Sequence, residues 1–503
     1  MPEKIGVIDI GSNSIRMEII KINDDRSYCK IDESKEMVRL SQGMERDNKL
    51  KEAPIKRTIK VLKLYKAIVD SHNVDQLFCV ATAAVRNASN QKTFIKRINE
   101  DVGLDIDVIS GEKEAHLGYL GVVNTIDIKD CLIVDIGGGS TEITLVKDRT
   151  LKRSISLPYG AVNLTEQYLN SDPIKKNQIQ EVEDVIKESL DAISWIKGAE
   201  SLPIVGLGGT IKTLARVDKH KKRVPLNFIH NYQMSKEESL NIYKQIVKVN
   251  IDKRIKLPGI NKSRADIISG GLILFTCIMQ YIDASNLIIS DAGMREGIFY
   301  SHYLDHINYK YKYIDNILSH SIENTLLKYN FDKIEPNGPP IAIAFFDKIS
   351  DVYSLDQEYR KILWVAYKMQ NLGKGVDGYY SSQQGFYQIL NSRLYGLNHR
   401  EKVLSALLGA LVSEDVLKSK FKKYSMLIKK KDHDSIRMLS LLLKIGNVLE
   451  RSLIDTSSVT YEIKKNSIDI TVSGKDFLQL EKVYKYKKEF NKLLSRDLFI
   501  FYK

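Results

Sequence analysis

The sequence predicts an α/β fold over roughly its first 300 residues, then a mainly helical region and a small α+β end. Three observations carry that reading. Strand-like and helix-like runs alternate from residue 5 to about residue 300, the pattern of an α/β architecture. The segment VIDIGSNSIRMEII is echoed about 126 residues later by IVDIGGGSTEITLV. Both copies run from an apolar strand through Asp-Ile-Gly and a small polar turn into a second apolar strand, which reads as an internal duplication that sets two turns across one cleft. After about residue 305 the character changes to long Leu/Ile/Lys/Tyr segments of helical type.

Element by element, Ile5–Ile10 and Ile15–Lys21 are β-branched runs joined by GSNS, a predicted hairpin. Ala53–Ser71 has helical spacing, and Gln76–Ala81 is a short buried strand. A helix starts near Gly111 and continues through Ala115–Val123. Cys131–Ile136 and Ile143–Val146 form a second strand pair around GGGST. Lys175–Trp195 reads as a helix and Leu202–Leu207 as another buried strand. Beyond these, Ser405–Val416 and Ser435–Leu449 are predicted helices, and the Pro/Gly-rich run 336–340 is a break. The last stretch alternates again in VTYEIKKNSIDITV, then ends in a helix and the strand-like LFIFY. The implied divisions are residues 1–130, 131–303, 304–455 and 456–503.

Hydrophobic residues make up 43% of the chain, enough for ordinary cores and too many for a disordered polymer. The net charge of +13 is unevenly spread. Residues 1–130 carry 21 basic and 21 acidic side chains, residues 131–303 carry 23 and 19, and residues 304–503 carry 32 and 23. Such an excess attracts polyanions over long range, and it is equally the mark of solvated, lysine-rich helix faces. Cys29, Cys79, Cys131 and Cys277 form no C-x-x-C pair, as expected of reduced thiols in a cytoplasmic protein. No basic and apolar leader precedes the first strand, and no stretch reaches the ~18–20 apolar residues of a membrane span, so neither secretion nor a membrane is expected.

The strongest chemical element runs from Asp135 to Glu142. Gly137, Gly138 and Gly139 let backbone N–H groups approach an anion with no Cβ in the way. Ser140 and Thr141 add hydroxyl donors, and Asp135 and Glu142 are hard oxygen ligands suited to Mg²⁺. A bare hairpin turn would need one glycine, not three followed by Ser-Thr-Glu. The partner turn, Asp9-Ile10-Gly11-Ser12-Asn13-Ser14, closes the other side of a phosphate cleft, with Gly11, Ser12 and Asn13 as binding candidates and Asp9 as a further metal candidate. Neither turn is a P-loop. Gly208 and Gly209, between a buried strand and a helix, offer backbone amides to an anion. Lys212, Arg216, Lys219, Lys221, Lys222 and Arg223 follow as an anion track or as a solvated helix end. Asp291, Arg295 and Glu296 read first as structural ion pairs. His302 and His306 stand i,i+4, a spacing that packing or surface explains before zinc does.

The two Asp-Ile-Gly turns resemble the superfamily of acetate kinase, sugar kinases, heat-shock chaperone ATPases and actin. Six further segments resemble its exopolyphosphatase / guanosine pentaphosphate phosphohydrolase (Ppx/GppA) branch: VATAAVRNA (80–88), ISGEKEAHLGYLGV (109–122), SLPYGAVNLTE (156–166), GLGGT (206–210), SRADIISGG (263–271) and SDAGMREG (290–297). They occur in the family's order, and the helical part resembles the family's longer members. The resemblance implies two actin-like (ribonuclease H-like) α/β domains facing a cleft, then an HD-like helical domain and the small α+β unit. It assigns Glu114, rather than Glu112, as the base that activates water, and places Arg86 at the phosphate site. Where a metal-binding His would stand in an HD phosphohydrolase, this chain has Gln370 and Asn371, and later SSQQGFY (381–387), so no metal site is expected there. His433-Asp434 is read as a helix start with Asp434 as its cap.

The resemblance further implies Mg²⁺ as cofactor, with Mn²⁺ and stimulation by K⁺ left open. It implies a homodimer acting on polyphosphate or guanosine pentaphosphate, without nucleic-acid or membrane partners. The expected reaction is exopolyphosphatase hydrolysis; its rivals are pppGpp 5′-phosphohydrolysis, a sugar or carboxylate kinase, and a non-enzymatic sensor of polyphosphate or alarmone.

Overall fold

β1 (Glu3–Ile10) and β2 (Ser14–Ile22) pair antiparallel, with Asp9 opposite Arg16 and Ile10 opposite Ile15. Ile5, Val7, Ile8, Ile10, Ile15, Met17 and Ile19 are all buried. Both faces of the hairpin are therefore covered, which is why the strands read as continuous rather than alternating apolar runs. Each such side chain contributes about 1.5–3 kcal/mol by leaving water. β3 (Tyr28–Met37) extends the sheet beside β2, and β4 (Gln76–Ala81) and β5 (Asp107–Val108) extend it in parallel on the other side, giving the order β3-β2-β1-β4-β5.

The second sheet repeats that plan. β6 (Cys131–Ile136) pairs antiparallel with β7 (Thr141–Lys147) and parallel with β9 (Ile204–Leu207), as β1 does with β2 and β4. With β8 (Thr150–Leu157), β10 (Tyr232–Ser235) and β11 (Asn286–Ile289) the order is β10-β11-β9-β6-β7-β8. The duplication legible in the sequence is thus a duplication of topology.

The helices of the first half are α1 (Glu52–Ser71), α2 (Ala83–Arg86), α3 (Gln91–Val102) and α4 (Gly111–Val123). The second half contributes α5 (Ala161–Tyr168), α6 (Lys176–Asp191), α7 (Gly208–Lys221), α8 (Lys236–Val247), α9 (Ile251–Arg254), α10 (Ile268–Tyr281) and α11 (Met294–His306). α1 and α3 cover one face of the first sheet, and α6, α8 and α10 share a core with the second. Between the sheets lie α4 and α11, whose Leu117, Tyr119, Leu120, Ile298, Phe299 and Tyr303 join one cluster with Ile5 and Val7 of β1 and with Ile133 and Val205 of the second sheet. The two helices touch backbone to backbone: a Cβ at Gly297 would fall 1.9 Å from the Leu117 carbonyl oxygen. Only glycine permits that approach.

The structure is a computed structural model that describes residues 2–44, 47–329, 331, 339–375, 381–451, 456–472 and 482–502. The chain divides into two units, residues 1–317 and 318–503. The second unit is mainly helical, with α12 (Ile317–Lys328) at the junction, then α13 (Ile341–Ile349), α14 (Gln357–Met369), α15 (Ser381–Asn391), α16 (His399–Gly409), α17 (Glu414–Lys423) and α18 (Lys430–Glu450). Its sheet of β12 (Thr460–Ile463), β13 (Ser467–Val472) and β14 (Asp497–Tyr502) includes both alternating C-terminal runs and LFIFY.

Two expectations are corrected here. The single helix expected over 405–416 is two helices, because Leu411 adopts a left-handed backbone (φ 47°) and α17 restarts after Ser413, whose carbonyl accepts from the Leu417 amide at 2.8 Å. The helix carrying His433 begins earlier than expected, at Lys430, and the acid near its start is Asp432, which accepts from the Lys429 amide at 2.6 Å. Asp434 lies inside the helix. Gln370 donates to the side chain of Asn447 at 3.0 Å, and residues 381–387 open α15. The break expected at 336–340 lies outside the described residues up to 338; Pro340 caps α13. Among the described residues no helix is long and apolar enough to cross a membrane.

Candidate active site

The two glycine turns adopt one geometry. The Gly11 amide donates to the Ser14 carbonyl at 3.2 Å, and the Gly137 amide donates to the Ser140 carbonyl at 3.0 Å. They face each other closely: a Cβ at Gly138 would lie 2.9 Å from that of Ser12. Asp9, Gly11, Ser12, Glu114, Asp135, Gly137, Ser140, Gly208 and Gly209 all line one cleft between the halves of the first unit. Asn13, Gly138, Gly139 and Thr141 belong to the same turns but are not among the residues that line it. Thr141 is buried at the start of β7.

Four acidic side chains, Asp9, Glu114, Asp135 and Glu142, influence one another here. Asp135 and Glu142 are cross-strand partners on β6 and β7. Glu142 is 4% exposed and accepts from the Ser156 hydroxyl at 2.7 Å. Burial pushes Glu142 up to about 7, and the charge of Asp135 adds to the rise. Burial also pushes Asp135 up to about 6 against the pull of Lys212 and Arg16, and it raises Asp9. Glu114 lies on the first turn of α4, a helix capped by Ser110, whose hydroxyl accepts from the Lys113 amide at 3.1 Å. Burial, then the charge of Glu142, lifts Glu114 well above the usual carboxylate range, while Arg86 opposes the rise. Such crowding of buried carboxylates is characteristic of functional sites. Asp9 and Asp135 line the cleft and Glu142, which does not, stands across the strand pair from Asp135; these carboxylates are hard oxygen donors of the kind that suits Mg²⁺, and a cation at Asp135 would relieve its repulsion of both neighbours.

Arg86 does not line the cleft. Its Nη1 donates to Glu114 at 3.0 Å and to the Ile109 carbonyl at 2.9 Å, which pins the Glu114 carboxylate from behind. The Arg295 guanidinium donates to the fully buried Glu18 at 3.2 Å, and Lys212 pairs with Asp291 at 2.6 Å. The ammonium of Lys212 holds the Asp291 carboxyl well below the usual range. Of the expected anion track, Lys212 and Arg216 face a cavity, whereas Lys219 turns inward to the carbonyls of Leu226 and Phe228, and Lys222 pairs with Asp218 and Glu238 at 2.7 Å each.

That cavity is one of which sequence reasoning named Gly209, Lys212 and Arg216 but missed Arg16, Lys35 and Arg264. It measures about 350 Å³, adjoins the cleft, and is lined by Arg16, Lys35, Lys212, Arg216 and Arg264. Arg16, Gly209, Lys212 and Arg264 line both spaces. Among the described residues Arg16, Lys35, Arg216 and Arg264 form no ion pair with an acid. Burial and the like charges of Arg16 and Arg216 lower Arg264 to about 10. The available signal was a basic residue, Arg16, in a largely apolar strand only two positions past the glycine turn.

Residues 19–306 match the Ppx/GppA phosphatase family, and residues 319–499 match Ppx/GppA phosphatase domain III. The chain is 32% identical over 297 residues to a bifunctional 3-dehydroquinate synthase/phosphatase of Fusobacterium nucleatum. The match takes in 56% of this chain and 44% of that protein, so the chain spans less than half the length of the curated relative it matches. Among solved structures, the Aquifex aeolicus member of the Ppx/GppA family is 29% identical (TM-score 0.52), with 62% of this chain and 100% of that one covered. An exopolyphosphatase from Cytophaga hutchinsonii is 26% identical (TM-score 0.57), covering 60% and 98%. The paired, duplicated sheets of the first unit are the actin-like two-domain fold of these proteins. With its first 300 residues and its helical part both accounted for by one family, the chain belongs to the Ppx/GppA phosphatases.

Proposed function

We propose that the chain is an exopolyphosphatase that hydrolyses the terminal phosphoanhydride of inorganic polyphosphate and releases orthophosphate. One observation carries the reading: four cations without acidic partners among the described residues surround a cavity of about 350 Å³ that shares residues with the carboxylate-lined cleft. A lone phosphoryl group fills the cleft; further phosphates of the same substrate give the second cavity its counter-charge. The basic excess after residue 304 and the likeness to the Cytophaga hutchinsonii exopolyphosphatase support the same substrate.

In this reading the terminal phosphoryl group lies between the turns, bound by their backbone amides other than those of Gly11 and Gly137, which close the turns, and by the hydroxyls of Ser12 and Ser140. Amides at Gly208 and Gly209, where α7 begins, meet the inner phosphates. Glu114 takes a proton from water as the water oxygen attacks the terminal phosphorus. The bond from that phosphorus to the bridging oxygen breaks, and the shortened chain leaves on the cationic side. Arg86 keeps the Glu114 carboxylate aimed through their 3.0 Å ion pair and adds positive charge beside the reaction. When bound, a divalent cation held by Asp135 and Glu142, with Asp9 as a further ligand, offsets charge on the phosphoryl oxygens.

Ile260 and Asn261 on the wall of the same cavity favour one alternative, guanosine pentaphosphate, since an apolar face and an amide suit a nucleobase. The test is phosphate release with Mg²⁺ from long-chain polyphosphate, pppGpp and ATP by the wild type, Glu114→Gln and Arg264→Ala. Polyphosphate should be preferred. Glu114→Gln should lose ~10²–10⁴-fold in kcat, the usual worth of a general base. Arg264→Ala should raise KM roughly tenfold, about 1.4 kcal/mol, with a smaller effect on kcat. A preference for pppGpp would move the substrate to the alarmone. Binding without release by the wild type would make the chain a sensor.

A further inference from the structure

β1 and α11 both reach the cleft at one end, through Asp9 on the strand and Glu296 on the helix. At their other ends they meet again. Glu3 opens β1, and His302 and His306 stand one helical turn apart near the end of α11, so both imidazoles lie on one helix face. The His302 Nε2 lies 3.1 Å from each oxygen of the Glu3 carboxylate, and the His306 Nδ1 lies 3.0 Å from Oε2. One ligand atom from each of the three residues falls within 4.8 Å of the others. Four-coordinate Zn²⁺, with bonds of about 2.0–2.2 Å, sets its ligand atoms roughly 3.3 Å apart. Two imidazole nitrogens and a carboxylate oxygen are therefore already near coordination spacing.

We propose that Glu3, His302 and His306 form a binding site for a divalent transition cation of the Zn²⁺ type, separate from the phosphate cleft. The donor set selects the class of ion. Two imidazoles with one carboxylate suit Zn²⁺, Co²⁺ or Ni²⁺, whereas Mg²⁺ takes oxygen ligands and would go to the Asp135 and Glu142 pair. The ring of Phe78, edge-on to His302 with centroids 5.8 Å apart, limits how far that imidazole turns. His306 is partly open to solvent, which leaves room for water as a fourth ligand. Six residues of extended strand, about 20 Å, separate Glu3 from Asp9, so an ion here touches no substrate. It would instead fasten the start of the central strand β1 to the end of α11, and it would bind the folded chain in preference to the unfolded one. The local i,i+4 pair alone does not define this site; its third ligand lies 299 residues away in the chain.

The full-length protein is titrated with Co²⁺ and with Zn²⁺ in a large excess of Mg²⁺, which occupies the all-oxygen cleft. Bound Co²⁺ is counted by equilibrium dialysis and its ligands are read from the visible spectrum; Tm is followed against Zn²⁺. The wild type should bind one equivalent of Co²⁺ with the intense visible bands of a low-coordinate, nitrogen-containing site, and one equivalent of Zn²⁺ should raise Tm. His302→Gln and His306→Gln should each lose the bands and the Tm response, Glu3→Gln should weaken binding at least tenfold, and all three should keep Mg²⁺-dependent phosphate release. The double variant D135N/E142Q should keep the Co²⁺ bands. No binding by the wild type under excess Mg²⁺, equal binding by the histidine variants, or loss of the bands in D135N/E142Q would each overturn the proposal.

Discussion

Glu142 and Asp135 show what a single buried carboxylate does to the whole molecule's response to pH. Both are raised in the folded chain, to about 7 and about 6, by burial first. A carboxylate whose folded value lies above its unfolded one binds its proton more tightly in the folded state. Its contribution to stability is full below the unfolded value of about 4 and declines as pH rises through the folded one. Without divalent cation, Tm should therefore fall more steeply between about pH 4 and 7 in the wild type than in D135N/E142Q, as differential scanning calorimetry would read. Added Mg²⁺ should restore most at the upper end of that window, where the carboxylates are ionised. Equal pH slopes in the two proteins would remove this pair as the cause. At this scale the sequence was legible where spacing is local: both glycine turns, Asp135 and Glu142 stand in contiguous motifs. Arg16, Lys35 and Arg264 were not, because what marks them is convergence on one cavity from three separate segments, each with an unremarkable basic residue.

At the scale of elements, the placement of Glu114 depends on how closely α4 can approach α11. A methyl group at Gly297 would lie 1.9 Å from the Leu117 carbonyl oxygen, and backbone cannot swing aside as a side chain can. Gly297→Ala should destabilise by about 3 kcal/mol, the upper end of ordinary overpacking, and lower phosphate release by displacing the helix that carries Glu114. Gly118, on α4 itself, has nothing within 4 Å of the place its Cβ would take. Gly118→Ala should be neutral or add up to about 1 kcal/mol through helix propensity. Thermal denaturation of the two variants side by side separates close approach from mere loss of glycine. Of the elements, Gln76–Ala81 and Cys131–Ile136 have the limits their apolar runs predict. β3 escaped because YCKIDESKEM is an edge strand with a charged outer face, whose pairing is decided by β2 and not by its own residues. The break at Leu411 escaped because a left-handed backbone at leucine leaves no residue-type signal.

At the scale of the whole molecule, the net charge of +9 after residue 304 has two readings that salt distinguishes. If this excess guides a long polyanion, raising ionic strength from about 0.01 M to 0.15 M, which shortens the screening length from about 30 Å to about 8 Å, should raise KM for long-chain polyphosphate severalfold. The effect should be smaller for short chains and smaller still after charge reversal of the exposed lysines there. An unchanged KM would make those lysines ordinary solvated surface. The order of the fold along the chain has a consequence during synthesis. Ile5, Val7, Ile20 and Ile22 leave the ribosome nearly 300 residues before Ile298, Phe299, Tyr303 and Leu304, which complete their core. Until α11 emerges, α4 alone covers that apolar sheet face, so a nascent chain at this stage exposes apolar surface that favours chaperone binding, and a stall before residue 306 should yield a chain that aggregates instead of a smaller working domain.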